Sequence, residues 1–274
     1  MLPMSKKQKI FLVFMVVVAA MAFFHPHRNN AGAQGWRNAS REPVGLAPDP
    51  AKTPEAVIQV YTARAYSWRG YFGVHPWIAV KPTNAEAFTV YEVIGWRLRW
   101  GEDVVSIRER PADARWFGNA PELLADMRGD GVDEIIKKID KAARSYPFTD
   151  QYSVYPGPNS NTFIAYVARN VPELKIDLPP TAIGKDYLGP SVFAKAPSGT
   201  GYQFNLGGLF GVMASLKEGL ELNIFGLTFG VNPFDPSIKL PGIGRIGSDR
   251  KLDYKPQAKT ADSKPKKLIA EKPL

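Results

Sequence analysis

Strand-like apolar segments dominate the chain between residues 57 and 110. The first, VIQVYTARAY (57–66), alternates between apolar and polar positions, and HPWIAVKP (75–82) and AFTVYEVIGW (87–96) follow as two apolar runs. WRLRW (96–100) and VVSIRER (104–110) are further strand-like segments. A period of two is typical of half-buried β-strands. Only TNAE separates the second segment from the third, which indicates a hairpin. We therefore predict an antiparallel sheet in this part of the chain.

Two later segments have the spacing of amphipathic helices. In VDEIIKKIDKAARSY (132–146) the apolar residues recur every three to four positions, and charged residues fill the other face. Its acidic start and basic end suit the helix dipole. In NSNTFIAYVARN (159–170) an apolar stripe follows three polar residues, and Pro172 lies just beyond the end. Both segments are predicted to be helices.

Glycine-punctuated apolar segments follow residue 200. GYQFNLGGLFGVMASL and GLELNIFGLTFGVN flank Lys217 and Glu218, which predicts two strands joined by a tight hairpin turn. The apolar side chains of this hairpin (202–231) favour a place in the core, and a sheet that faces a membrane or a partner is the alternative. SIKLPGIGRIG is a candidate further strand.

These elements predict a single α+β domain, with an antiparallel sheet packed against two main helices and a Gly-rich C-terminal β-hairpin. We place an N-terminal export signal or membrane anchor at 1–30, a linker at 31–54 and the globular domain at 55–247. The Lys- and Pro-rich tail, 248–274, is predicted to be disordered.

The N-terminal segment carries the signal for location. Fifteen uninterrupted apolar residues (10–24) follow three lysines, which is typical of an export signal. The stretch is shorter than the about 20 residues of a usual spanning helix, and AGA (31–33) is a weak cleavage site. Cleavage and retention both stay open, and we favour retention as an anchor. The predicted partner is then the bacterial inner membrane, with the domain on the periplasmic side.

The charge distribution argues against nucleic acid as a partner. The net charge of the chain is +9, but basic residues at the two ends account for all of it and leave residues 31–249 neutral. A neutral domain lacks the basic footprint of a nucleic-acid-binding surface. The expected partners are instead an envelope ligand or another envelope protein.

Scarce cysteine and histidine restrict the possible chemistry. The chain contains no Cys and only three His, of which His75 alone lies in the main domain. Disulfides, thiolate nucleophiles and Cys-based metal sites are thereby excluded. The Asp and Glu residues show no metal-ligand spacing, so we expect neither a metal nor a cofactor.

The stretch YPGPNSNTF (155–163) opens the second predicted helix and allows two interpretations. Asn159 and Ser160 are both favoured N-cap residues, so capping alone would explain them. A helix N-terminus can also stabilise an oxyanion or activate a nucleophile. The catalytic hypothesis takes Ser160 as nucleophile, His75 as base and Glu92 as the group that orients the base. A third interpretation is a binding pocket at the same turn, in which Asn159 and Asn161 contact the bound molecule.

Arg115 and Trp116 form a second candidate binding site. They follow Asp113 in the string DARW, so a carboxylate, a guanidinium and an indole lie close together. A substrate clamp is one interpretation. The other is an ordinary ion pair between Asp113 and Arg115 beside a packed Trp.

Two family resemblances accompany these patterns. The strings DARWFG, YPGPNSNTF, VPEL, IGKDYLG, GTGYQ, EGLELNIFGLTFG and LPGIGRIG together resemble one uncharacterised bacterial family, domain of unknown function 3750. That resemblance covers most of 55–247 and implies no activity. Separately, NSNTFIAYVAR and HPWIAV resemble the nucleophile helix and the His strand of circularly permuted papain-like proteins, the NlpC-like and lecithin-retinol-acyltransferase-like groups. Ser160 stands where those proteins have Cys, and serine is far harder to deprotonate.

The sequence therefore leaves two functions open. The first is a non-catalytic binding or assembly domain of the cell envelope. The second is a hydrolase or acyltransferase with a permuted papain-like core that acts on an envelope amide or ester through Ser160 and His75.

Overall fold

The computed structural model describes residues 35–247, together with Ser5 and residues 252–253. The apolar segment at 10–24 and the rest of the basic tail lie outside the described residues, so the predictions made for them stay predictions. Within the described part, neither α-helix is long and apolar enough to cross a membrane.

The first sheet has six strands and confirms most of the predicted β-structure. Its strands are β1 (Val57–Arg64), β2 (Val74–Lys81), β3 (Thr89–Val93), β4 (Val105–Glu109), β5 (Pro121–Arg128) and β13 (Leu252–Asp253). Their order across the sheet is β13-β5-β1-β2-β3-β4, and all neighbours are antiparallel except β13 and β5. The prediction of a strand at WRLRW was wrong, because Gly95–Trp100 forms a 3₁₀ helix.

Both predicted helices are present and pack on one face of the first sheet. They are α1 (Val132–Arg144) and α2 (Ser160–Asn170). The core between helices and sheet contains even-numbered residues of the central strands, among them Ile58, Val60, Ile78 and Val80. Because side chains alternate along a strand, even-numbered positions of β1 and β2 face the helices.

The odd-numbered positions of β1 and β2 face a second, smaller core on the other side of the sheet. Tyr61 and Trp77 stack there with ring centroids 5.7 Å apart, and Ala112 and Trp116 belong to the same cluster. His75 is an odd-numbered residue of β2, so its side chain lies on this face, away from the helices.

The second sheet is a seven-stranded antiparallel meander. Its strands are β6 (Phe193–Lys195), β7 (Gly201–Leu206), β8 (Phe210–Ser215), β9 (Gly219–Ile224), β10 (Leu227–Asn232), β11 (Ser237–Leu240) and β12 (Gly244–Gly247). The predicted two-stranded hairpin was therefore wrong in extent. Each long predicted strand is divided by a turn whose glycines have positive φ, namely Gly207 and Gly208 in one and Gly226 in the other. Taken together, the two sheets and two helices confirm a single α+β domain.

Candidate functional site

The start of α2 is a fully formed helix cap. Asn159 is the N-cap residue, and its Oδ1 accepts hydrogen bonds from the backbone N–H groups of Asn161 (2.9 Å) and Thr162 (3.2 Å). Thr162 Oγ1 accepts in return from the Asn159 backbone N–H at 3.1 Å, which completes a capping box. Asn159 Nδ2 also donates to the carbonyl oxygens of Val154 and Ile183. The donors and acceptors of Asn159 are thus occupied by the fold.

Asn161 also joins the helix start to neighbouring segments. Its Nδ2 donates to the carbonyl oxygens of Ile183 (2.8 Å) and Val74 (3.3 Å), while its buried Oδ1 has no hydrogen-bond partner among the described residues. Ser160 is 4% exposed, and its Oγ forms no hydrogen bond within the described part of the chain. The described residues therefore give the Asn159 and Asn161 side chains structural hydrogen bonds and give the buried Ser160 side chain none.

A pair of adjacent substitutions separates capping from a role of Ser160. We expect Asn159→Ala to lower the free energy of unfolding by about 2–4 kcal/mol, because it removes the cap and two donors to carbonyl oxygens. Ser160→Ala is expected to change it by less than about 1 kcal/mol, since no hydrogen bond is lost. Urea unfolding followed by Trp fluorescence measures both. A larger loss for Ser160→Ala than for Asn159→Ala would contradict the assignment.

His75 and Glu92 meet on the sheet face away from the helices. His75 Nε2 lies 3.1 Å from Glu92 Oε2, and the exposed fractions of the two residues are 6% and 0%. Arg110 Nε lies 3.3 Å from Glu92 Oε1 and Arg110 Nη2 lies 3.3 Å from Oε2, while Arg108 Nη2 approaches Oε1 at 3.4 Å. The carboxylate thus has a hydrogen-bond donor on each of its oxygens.

Burial and neighbouring charges act in opposite directions on this cluster. Burial alone would raise the pKa of Glu92, but the hydrogen bond from His75 and the charges of Arg110 and Arg108 outweigh it and lower the pKa to about 2. Burial lowers the pKa of His75 by more than Glu92 raises it. At neutral pH Glu92 is therefore ionised and accepts a hydrogen bond from Nε2–H of a neutral imidazole.

The structure does not bring His75 and Ser160 together. The imidazole lies against Trp116 on one face of the first sheet, with ring centroids 3.5 Å apart and planes 8° from parallel. Ser160 begins the helix that packs on the other face, and the described residues contain no hydrogen bond between the two side chains. Of the three predicted catalytic residues, only His75 and Glu92 are in contact. A catalytic role for any of them stays a prediction.

At the second candidate binding site the structure contradicts the ion-pair interpretation of DARW, and the substrate clamp stays a prediction. Asp113 forms no ion pair with Arg115, because its Oδ2 accepts hydrogen bonds from the backbone N–H groups of Leu46 (2.6 Å) and Ala47 (3.2 Å). Arg115 Nη1 donates to the Gly118 carbonyl at 3.2 Å. Trp116 covers His75 and also stacks on Trp96 at 5.9 Å. Trp116 thus shields the His75–Glu92 pair from water.

The second sheet has an apolar face that points away from the rest of the domain, here called the outward face. Three rows of cross-strand neighbours form it. The first row is Tyr202, Ala214, Leu220, Val231, Ile238 and Ile246; the second is Phe193, Phe204, Val212, Leu222 and Phe229; the third is Leu206, Phe210, Ile224 and Leu227. Leu222 and Phe229, near the centre, are 37% and 38% exposed. The expectation that these side chains belong to the core was therefore wrong.

The inward face of the same sheet is polar and charged. Glu221 Oε1 lies 2.6 Å from Lys239 Nζ, and Glu221 Oε2 is paired with Lys185. Lys239 also contacts Asp177 at 2.6 Å, and Arg245 contacts Asp177 at 2.7 Å. Both lysine side chains are 1% exposed. The meander therefore attaches to the domain through buried ion pairs and leaves its apolar side outside.

Comparisons with known proteins identify the domain without giving it an activity. Neither the curated proteins nor the solved structures contain a match to the chain. Residues 55–187, which include the first sheet, both helices and the His75–Glu92 pair, match a family described as a protein of unknown function. This part of the chain therefore belongs to the DUF3750 family.

Proposed function

We propose that this protein is a non-catalytic binding or assembly domain of the bacterial cell envelope. Residues 10–24 tether it to the inner membrane, and the domain stands on the periplasmic side. Support for the tether comes from the fifteen apolar residues behind three lysines.

The outward face is the observation that carries the binding role. The largest apolar patch on a typical monomeric soluble protein covers about 300–600 Å² and is often functional. This face extends over the width of the meander, and a shallow concavity of about 600 Å³ lies on it. Apolar side chains on a strand face ordinarily turn inward, whereas here charged residues occupy the inward side. A sheet with its charged face inside and its apolar face outside is suited to contact another apolar surface.

Geometry gives the hydrolase alternative less support. A nucleophilic serine needs a base within hydrogen-bond reach. His75 Nε2 is bonded to Glu92, and Trp116 covers the imidazole. Ser160 lies at the start of α2 on the opposite side of the sheet.

Charged substitutions on the outward face test the proposed function. In native gels of solubilised membranes, we expect the full chain to migrate as a complex larger than a single chain. The double variant Leu222→Lys/Phe229→Lys is expected to migrate as the single chain, because two lysines cannot be buried in an apolar contact.

Leu46→Lys/Trp100→Lys is the matched control. It introduces the same charges at apolar residues that are 44% and 68% exposed elsewhere on the domain, so the complex should persist. Complexes of equal size in the wild type and the face variant would end the proposal.

A further inference from the structure

We infer that the outward face binds a second copy of this chain, sheet against sheet. This inference rests on the proposed function and names the partner at the same surface. The two copies would pack their apolar rows together as the two halves of a β-sandwich, in which the inner faces interdigitate about 10 Å apart.

The dimensions of the face match those that a stable dimer requires. Strands lie about 4.8 Å apart and alternate residues about 6.8 Å apart, so each position covers about 33 Å². The three rows contain fifteen positions and therefore cover about 490 Å². Two copies would bury about 1,000 Å² from the rows alone, the least that a specific interface requires. Exposed apolar residues in the turns enlarge the contact, notably Leu209 (41%), Leu216 (63%) and Phe225 (70%).

The chemistry of the face also suits an identical partner. A two-fold interface places the same patch on both sides, so it must be complementary to itself. Charged residues would place like charges opposite each other or next to apolar groups. The three rows contain no charge except where Lys195 of the edge strand β6 continues the first row, opposite Tyr202. Away from this edge residue the patch is apolar and is complementary to itself without any charge pairing.

The same observations disfavour a lipid bilayer as the occupant. The meander is open, with β6 at one edge and β12 at the other. Unpaired backbone groups at a sheet edge cost several kcal/mol each in hydrocarbon but are satisfied by water in a sandwich.

Cysteine cross-linking of the full chain in native membranes tests the inference directly, because the natural chain has no Cys. Single cysteines at Val212, Leu222 and Phe229 sample the three central strands. A disulfide requires Cβ atoms about 3.5–4.5 Å apart, so only positions close to the two-fold axis can pair with their own copies. We expect at least one of the three variants to give an oxidant-dependent band at the mass of two chains. Lys137→Cys on α1, with the native side chain 70% exposed, should stay monomeric.

Co-purification of two differently tagged copies gives an independent readout. We expect wild-type copies to co-purify, and Leu222→Lys/Phe229→Lys in both copies to reduce the yield at least tenfold. Leu46→Lys/Trp100→Lys should leave it unchanged. Co-purification of the face variant at the wild-type level would overturn the inference.

The two proposals fail in different ways. If wild-type copies neither cross-link nor co-purify, the second-copy inference is wrong. A larger complex in native gels that the face variant loses would then show that a different protein occupies the face, and the proposed function would stand. If the face variant changes no complex at all, both proposals are wrong.

Discussion

Replacing Glu221 with Gln is expected to lower the free energy of unfolding by about 3–5 kcal/mol. Glu221 is 6% exposed and contacts two lysines, Lys185 and Lys239. Burial alone would raise the pKa of Glu221, but these two ammonium groups outweigh it and lower the pKa. The neutral amide would leave Lys185 with Asp186 alone, 3.9 Å away, and Lys239 with Asp177, which Arg245 also contacts. Both buried ammonium groups would therefore lose a close carboxylate partner. Urea unfolding at neutral pH, followed by Trp fluorescence, measures the loss.

Glu134→Gln provides the control for this effect. Glu134 pairs with Lys137 at 2.7 Å, but both side chains are about 70% exposed. In this solvated pair the substitution of Glu by Gln should lower the free energy of unfolding by no more than about 1 kcal/mol. Equal losses in the two variants would show that burial of the Glu221 network contributes nothing to stability, and that the meander is held by other contacts.

The periodicity of apolar residues and the capping residues predicted the central part of the fold well. Strands β1 to β4 follow from short apolar runs rich in β-branched and aromatic residues, and both helices follow from helical spacing. Strands β1 and β2 are buried on both faces, so their apolar content indicates them better than alternation does. The N-cap at Asn159 was also evident, since a polar residue precedes an apolar stripe and Pro172 follows it. These features depend only on residues a few positions apart in the chain, so they can be predicted from local sequence.

Other elements depend on contacts that are distant in sequence. Strand β5 (PELLADMR) begins with Pro and carries three charges, and it is a strand because it pairs with β1. WRLRW alternates perfectly but begins after Gly95 and forms 3₁₀ turns that end at Gly101 in the left-handed region. Local alternation is therefore neither required for a strand nor sufficient to specify one.

The candidate site also depends on contacts between residues that are distant in sequence. Alternation along 87–93 does not show which face Glu92 takes, and a sequence cannot show which strand faces coincide until the register is known. The register of the first sheet puts His75 and Glu92 together, while the helix that begins at Ser160 packs on the other face. In the second sheet the apolar side chains were expected in the core, as is usual, but the structure exposes them. Lys185, Glu221 and Lys239 were missed for the same reason, since no local signal shows that charges scattered over 55 residues meet.

Replacing Glu92 with Gln is expected to lower the free energy of unfolding by about 3–4 kcal/mol. Glu92 is fully buried and accepts hydrogen bonds from His75, Arg108 and Arg110. A neutral amide cannot compensate the partly buried Arg110, whose side chain is 14% exposed. Glu109→Gln, one strand away and exposed, is the control and should change stability by less than about 0.5 kcal/mol.

The pH dependence of stability identifies the same carboxylate by a second measurement. The pKa of Glu92 is about 2 in the folded state, below its ordinary value of 4.5. An acid with a lowered pKa stabilises the fold above its unfolded pKa, and this stability is lost as the pH falls from 4.5 towards 2. The loss amounts to about 3 kcal/mol. His75 adds to it in the same direction, because burial lowers its pKa and the unfolded state therefore takes up a proton first as the pH falls below 6.5. Urea unfolding between pH 7 and pH 3 should show a steeper decline for the wild type than for Glu92→Gln, and parallel curves would exclude Glu92 as the titrating group.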